Sequence, residues 1–275
     1  MKNYLQLVNF EINRFFKLYL ILIGLTIVSQ LSGAMIVSKI YMKNAKQMMA
    51  KRQFSMNQYI EEYGTFSFGQ FTYSEWFLLP IFFCIAILII YVFFIWYRDW
   101  FGKNTFIYRL LMLPLERITI YFAKLTTIML LVLGLIALQI MFILLGKQIV
   151  NSIIPIEFQS SFSIYDNYGI EMLSWLYPNT FTEFVLIYAV GLISVAVLFT
   201  AILIERSYGL KGIFGAIFYG LLSLGVFFAP MLLVEFKSNY FYPLEIFSMV
   251  LVASIIVLGS AIWFANHLLK HKIRV

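Results

Sequence analysis

WFLLPIFFCIAILIIYVFFIWY, residues 76–97, contains no Asp, Glu, Lys or Arg. At 1.5 Å per residue, a helix of this length covers the roughly 30 Å of hydrocarbon in a bilayer. Five more charge-free stretches follow the same rule, at about 18–38, 125–146, 184–204, 212–234 and 246–266. Composition agrees: 62% of the 275 residues are hydrophobic and only 12% are charged, against about 25% charged in soluble domains. The expected fold is all-α: a polytopic membrane protein with six transmembrane helices, forming one membrane domain over 1–275.

Six crossings put both ends of the chain on one side, and basic residues choose that side. With the ends inside, the inner segments hold Lys2, Arg14, Lys17, Arg98, Lys103, Arg109, Arg117, Lys124, Arg206, Lys211, Lys270, Lys272 and Arg274, against the acids Glu11, Asp99, Glu116 and Glu205. The outer segments are left slightly acidic. A net charge of +7 is thus read as membrane orientation and not as nucleic-acid binding. Lys39, Lys43, Lys46, Lys51 and Arg52 run against the trend in the first outer loop. The expectation remains a multi-pass cell-membrane protein with cytoplasmic termini.

On a helical wheel, Tyr4, Leu5, Val8, Ile12, Phe15, Phe16 and Tyr19 share one arc. Lys2, Asn3, Gln6, Asn9, Asn13, Arg14 and Lys17 occupy the other. This pattern predicts an interfacial amphipathic helix over 1–17, lying in the membrane plane ahead of the first span. The apolar run from Leu18 to Val37 exceeds a signal-peptide core, so the segment is read as retained. The outer loops, 39–75 and 147–183, are expected to carry short surface helices. Gly212, Ala216 and Gly220 repeat at four-residue spacing, a stripe that lets helix backbones approach closely. It suits packing against a neighbouring span, or a dimer or pore-lining face.

Catalytic and metal chemistry find little support. Cys84 is the single cysteine and sits in an apolar run. His267 and His271 share a helix face without a third ligand. No phosphate loop of the G-x-x-x-x-G-K-[ST] type occurs. The charge-free windows hold no ionisable group of the kind that ion-driven transporters place in their spans. The chain is therefore expected to be non-catalytic, to bind no cofactor or metal, and to depend on another polypeptide for any transport.

Outward from the opening stretch, residues 98–124 read RDWFGKNTFIYRLLMLPLERITIYFAK. Asn104 or Thr105 can cap a short helix that ends before Pro114. Phe106, Ile107 and Leu110 supply an apolar docking face, and Arg109 and Arg117 supply charge. The pattern Arg98-Asp99, Thr105, Leu110-Leu111-x-Leu113-Pro114-x-x-Arg117 and Lys124 resembles the loop after the second span in type-2 ATP-binding-cassette permeases. The six-span plan and the N-terminal in-plane helix are similar as well. The chain departs from that pattern in its short 235–245 segment.

The resemblance implies a coupling helix over about 103–113, within a cytoplasmic loop at 98–117. That helix would dock in a cytoplasmic ATPase through Thr105, Phe106, Ile107, Arg109, Leu110 and Arg117. It also implies two ATPase copies carrying ATP and magnesium, a second or related permease, and the bilayer as partners. Residues 1–17 would flank the contact, 205–211 would make a lesser one, and the second and fifth spans would line the path. The function implied is export of a hydrophobic or amphipathic cargo such as a peptide, antibiotic or lipid-like molecule. Compact permeases of this kind serve peptide export or self-protection, including antibiotic resistance, in Gram-positive bacteria. The alternative from the residues is a stand-alone immunity or sensor protein that binds cationic antimicrobial peptides through Glu61, Glu62, Glu157, Asp166 and Glu171.

Overall fold

The computed structural model describes residues 2–101, 106–112, 114–159, 176–178, 180–236 and 240–273. Six helices are long and apolar enough to cross a membrane: α1 (Lys2–Arg52), α4 (Glu75–Trp100), α6 (Ile118–Ile153), α7 (Phe181–Tyr208), α8 (Leu210–Phe236) and α9 (Pro243–His271). Shorter helices α2 (Met56–Tyr63), α3 (Phe68–Thr72) and α5 (Phe106–Leu111) lie between them. An isolated bridge joins Phe66 to Gln159. The protein is an all-α polytopic membrane protein.

Every long helix overruns its charge-free window, because a charge that is solvated or paired with another helix does not break helical hydrogen bonding. Two consequences correct the sequence reading. Of the expected 1–17 helix, residues 2–17 are the first turns of a continuous 51-residue α1, and no break separates an in-plane helix from the first span. Arg98 and Asp99 lie inside α4, and Lys124 lies inside α6; the helices that form the spans do hold charge.

The chain divides into two compact units, each described by itself. One comprises 14–87 and 131–180; the other comprises 1–13, 88–130 and 181–275. In the first unit, Gly33 allows close packing, since a Cβ there would stand 2.4 Å from Trp76 Cβ. Gln30 donates to Gln139 Oε1 (3.1 Å) and to the Phe77 carbonyl (3.3 Å). Beyond the apolar stretch, the far turns of α1 join α2, α3 and the end of α6 around a core that includes Ala45, Tyr59, Phe66, Phe68, Phe71 and Phe158. Ser55 and Gln58 close a reciprocal capping box at the start of α2. Burial pushes the Tyr59 phenol above its ordinary value. The outer-loop expectation of short helices fits α2 and α3, while 39–52 simply extends α1; residues 160–175 lie outside the described residues.

In the second unit α7, α8 and α9 pack pairwise against one another. Gly209 takes a positive φ of 61° at the corner between α7 and α8, a region where glycine avoids the Cβ clash. Trp96, Tyr121 and Phe199 form a buried cluster with centroids 5.7 to 6.5 Å apart, Phe199 standing edge-to-face to the other two. Tyr121 donates to the Ala196 carbonyl (2.9 Å), and Thr200 donates to the Ala261 carbonyl (3.0 Å). These bonds tie α6 to α7 and α7 to α9.

Candidate functional site

The chemistry of the second unit gathers where α4 ends, α6 begins and α7 meets α8. Lys124 follows Ile120 and Tyr121 and precedes Thr127 and Ile128 on the buried stripe of α6. Its side chain is 0% exposed. The ammonium donates to Glu11 Oε1 (2.7 Å), Asp99 Oδ2 (2.5 Å) and the Ile95 carbonyl (2.9 Å). An ammonium has three N–H donors, so each finds an acceptor. Trp96 presents its ring 5.2 Å from the same nitrogen. Glu11 extends from α1 and also accepts from Arg98 Nη2 at 3.0 Å.

Glu11, Asp99, Lys124 and Arg98 thus join α1, α4 and α6 in a largely buried ionic network. Burying ions is expensive unless each is paired and hydrogen-bonded, and here the pairing fixes the ends of three helices relative to one another. The arrangement is a mechanical lock. Among the described residues no group of three or more His, Cys, Asp or Glu side chains is placed to hold a metal.

Helix α5 hangs between two arms of this lock. Its described length is six residues, shorter than the expected Thr105–Leu113 run, and Thr105 and Leu113 lie outside the described residues. Ile107 is 0% exposed and Leu110 is 5% exposed. The expected docking face is thus turned inward for these two residues, because apolar side chains on a water-facing corner are better buried in their own protein. Phe106 stacks on Phe10 at 5.6 Å. The outward positions are Tyr108, Arg109 and Met112, the last 70% exposed.

Arg117 is engaged within the chain. Its Nη1 donates to the carbonyls of Leu269 (2.7 Å) and Ile273 (2.8 Å), at the end of α9 where carbonyls lack helical donors. Of the small-residue stripe, Gly212 makes a close approach: a Cβ would meet the Ile204 and Glu205 carbonyl oxygens at 2.6 and 2.7 Å. Ala216 is half-buried. Gly220 has nothing within 4 Å of a Cβ and borders an apolar cavity of about 320 Å³ with Val190, Ser194, Ser223 and Phe227.

Sequence reasoning missed the Glu11–Asp99–Lys124 contact. A signal existed: Glu11 interrupts the Val8–Phe15 stripe, and Lys124 interrupts the apolar repeat of early α6. No family model, curated protein or solved structure matches the chain.

Proposed function

We propose that the chain is the membrane subunit of an ATP-driven exporter, with α5 and both termini on the cytoplasmic side. A separate ATPase, present in two copies and carrying ATP and magnesium, would drive a pair of such permeases. The observation that carries this reading is the position of α5. It connects α4 and α6, whose flanking ends are fixed to each other and to α1 through Lys124, Asp99 and Glu11. Force applied to α5 then moves three long helices instead of deforming a loop. Contact with the driver falls to Tyr108, Arg109 and Met112, and Ile107 and Leu110 root the element in the permease.

A hydrophobic or amphipathic cargo suits the apolar cavity along α7 and α8. Peptide export or self-protection in a Gram-positive bacterium is the setting that the family resemblance favours. The sensor alternative has less support at Glu62, which pairs with Arg52 at 2.6 Å; Asp166 and Glu171 lie outside the described residues.

The test is to combine Arg109→Glu with Met112→Asp, both exposed, and to co-express the neighbouring ATPase. Co-purification and permease-stimulated ATP hydrolysis should fall at least roughly tenfold, a loss of about 1.4 kcal/mol, while the melting temperature holds. Unchanged assembly and stimulation in a folded double variant would remove the reading.

A further inference from the structure

The corner between α7 and α8 has a second cation, set up differently from Lys124. Arg206 sits among three rings: its guanidinium carbon is 4.6 Å from the Tyr97 centroid, 5.4 Å from Phe101 and 6.0 Å from Trp100. Stacking of this kind holds an arginine rigid and leaves its outer N–H groups available.

Its countercharge is only partly engaged. Glu205 accepts a hydrogen bond from the Tyr97 hydroxyl through Oε2. The other oxygen, Oε1, stands 4.0 Å from Arg206 Nε, too far for a hydrogen bond. Arg206 Nε and the nearby Trp100 Nε1 are buried and have no acceptor. The Arg206 side chain keeps 25% exposure, so an acceptor from outside can reach the guanidinium at its open edge, though not at the buried Nε.

The surroundings favour an anion. Helix α8 starts four residues later at Leu210. Lys211 is exposed on that first turn. Lys272 lies over the Tyr208 ring at 5.5 Å. The α7–α8 corner and the end of α9 thus carry the bases Arg206, Lys211 and Lys272 and the acid Glu205. From this corner an apolar stripe runs along α8 through Leu210, Phe214 and Phe218, the two phenylalanines 78% and 67% exposed.

The geometry points to a binding site for the phosphate headgroup of an anionic lipid, with Arg206 as the main ligand-facing residue. The lipid's acyl chains lie along Phe214 and Phe218. A free phosphate would use the basic corner but not the stripe, which is why the lipid is the occupant assigned. The site does not depend on the transport reading: it belongs to this chain alone.

The full chain is placed in phosphatidylcholine nanodiscs containing phosphatidylglycerol, and retained lipid is counted by native mass spectrometry. The wild type should retain phosphatidylglycerol in preference to phosphatidylcholine. Arg206→Gln should weaken that retention roughly tenfold, as expected for loss of a charge-assisted contact, and Arg206→Lys should fall between. Lys211→Gln combined with Phe214→Ala leaves the Tyr97–Glu205–Arg206 contacts intact, so it reports on the site even if Arg206 variants fold poorly; it should weaken retention roughly threefold.

Three outcomes overturn the proposal. One is equal retention by wild type and all variants. Another is displacement of the lipid by inorganic phosphate alone, which marks a free-anion site. The third is loss of a bound protein from the Arg206 variants with lipid retention unchanged, which marks a protein contact.

Discussion

Lys124 is the residue on which the inner architecture of the second unit turns. Three acceptors surround it, and two of them, Glu11 and Asp99, are carboxylates with 3% and 0% side-chain exposure. Lys124→Met keeps volume and apolar packing against Trp96 but removes the ammonium that both acids share. Removing one partner of a buried pair costs about 3–5 kcal/mol, so the variant should melt well below the wild type in detergent. Adding Asp99→Asn takes away one of the stranded charges and should recover much of that loss. If Lys124→Met melts like the wild type, the network is not a lock. None of this was legible from composition. Arg98, Asp99 and Lys124 flank charge-free windows, and a charge at a window's edge looks the same whether it faces water or a partner on another helix. Partnership is a property of three-dimensional neighbours. The sequence displays only the interruption of an apolar stripe.

At the scale of elements, the windows located all six long helices but not their ends, since helical hydrogen bonding continues wherever side chains permit it. The in-plane helix failed for the same reason. Its amphipathic wheel is real, yet the buried positions are Val8, Glu11 and Phe15, a stripe that includes an acid and leaves Leu5 and Phe16 exposed. The small-residue stripe of α8 divides on inspection. At Gly212 a methyl group would press into backbone oxygens of α7, which cannot rotate away, whereas at Gly220 it would meet open space. Gly212→Ala should therefore destabilise by about 1–3 kcal/mol, read as a lower melting temperature, and Gly220→Ala should stay within about 0.5 kcal/mol. Equal effects at the two positions would mean that spacing, and not the α7–α8 corner, governs the stripe. Helix α5 carries the matching lesson. Its existence follows from a cap signal and Pro114, but which face it buries was decided by the protein around it.

For the molecule as a whole, the open quantity is direction across the bilayer, and α1 supplies the means to fix it. A helix of 51 residues is about 76 Å long, far more than the roughly 30 Å of hydrocarbon, so its far turns extend beyond the membrane. Those turns carry Lys39, Lys43 and Lys46, all exposed, the same cluster that opposes the overall charge bias. Of the other 17 basic residues, 10 lie in sequence around α5, at the α7–α8 corner and at the end of α9, and orientation depends on the summed bias of short segments near the span ends. The summed bias should win, leaving Lys46 outside and Arg109 inside. Because Cys84 is the only cysteine and is buried, Cys84→Ala provides a silent background for single reporters. Lys46→Cys should react with a membrane-impermeant maleimide in intact cells, and Arg109→Cys should react only after permeabilisation. The reverse pattern would put α5 beyond the reach of any cytoplasmic ATPase, and the proposed function would fall while the fold, the Lys124 lock and the Arg206 site remained.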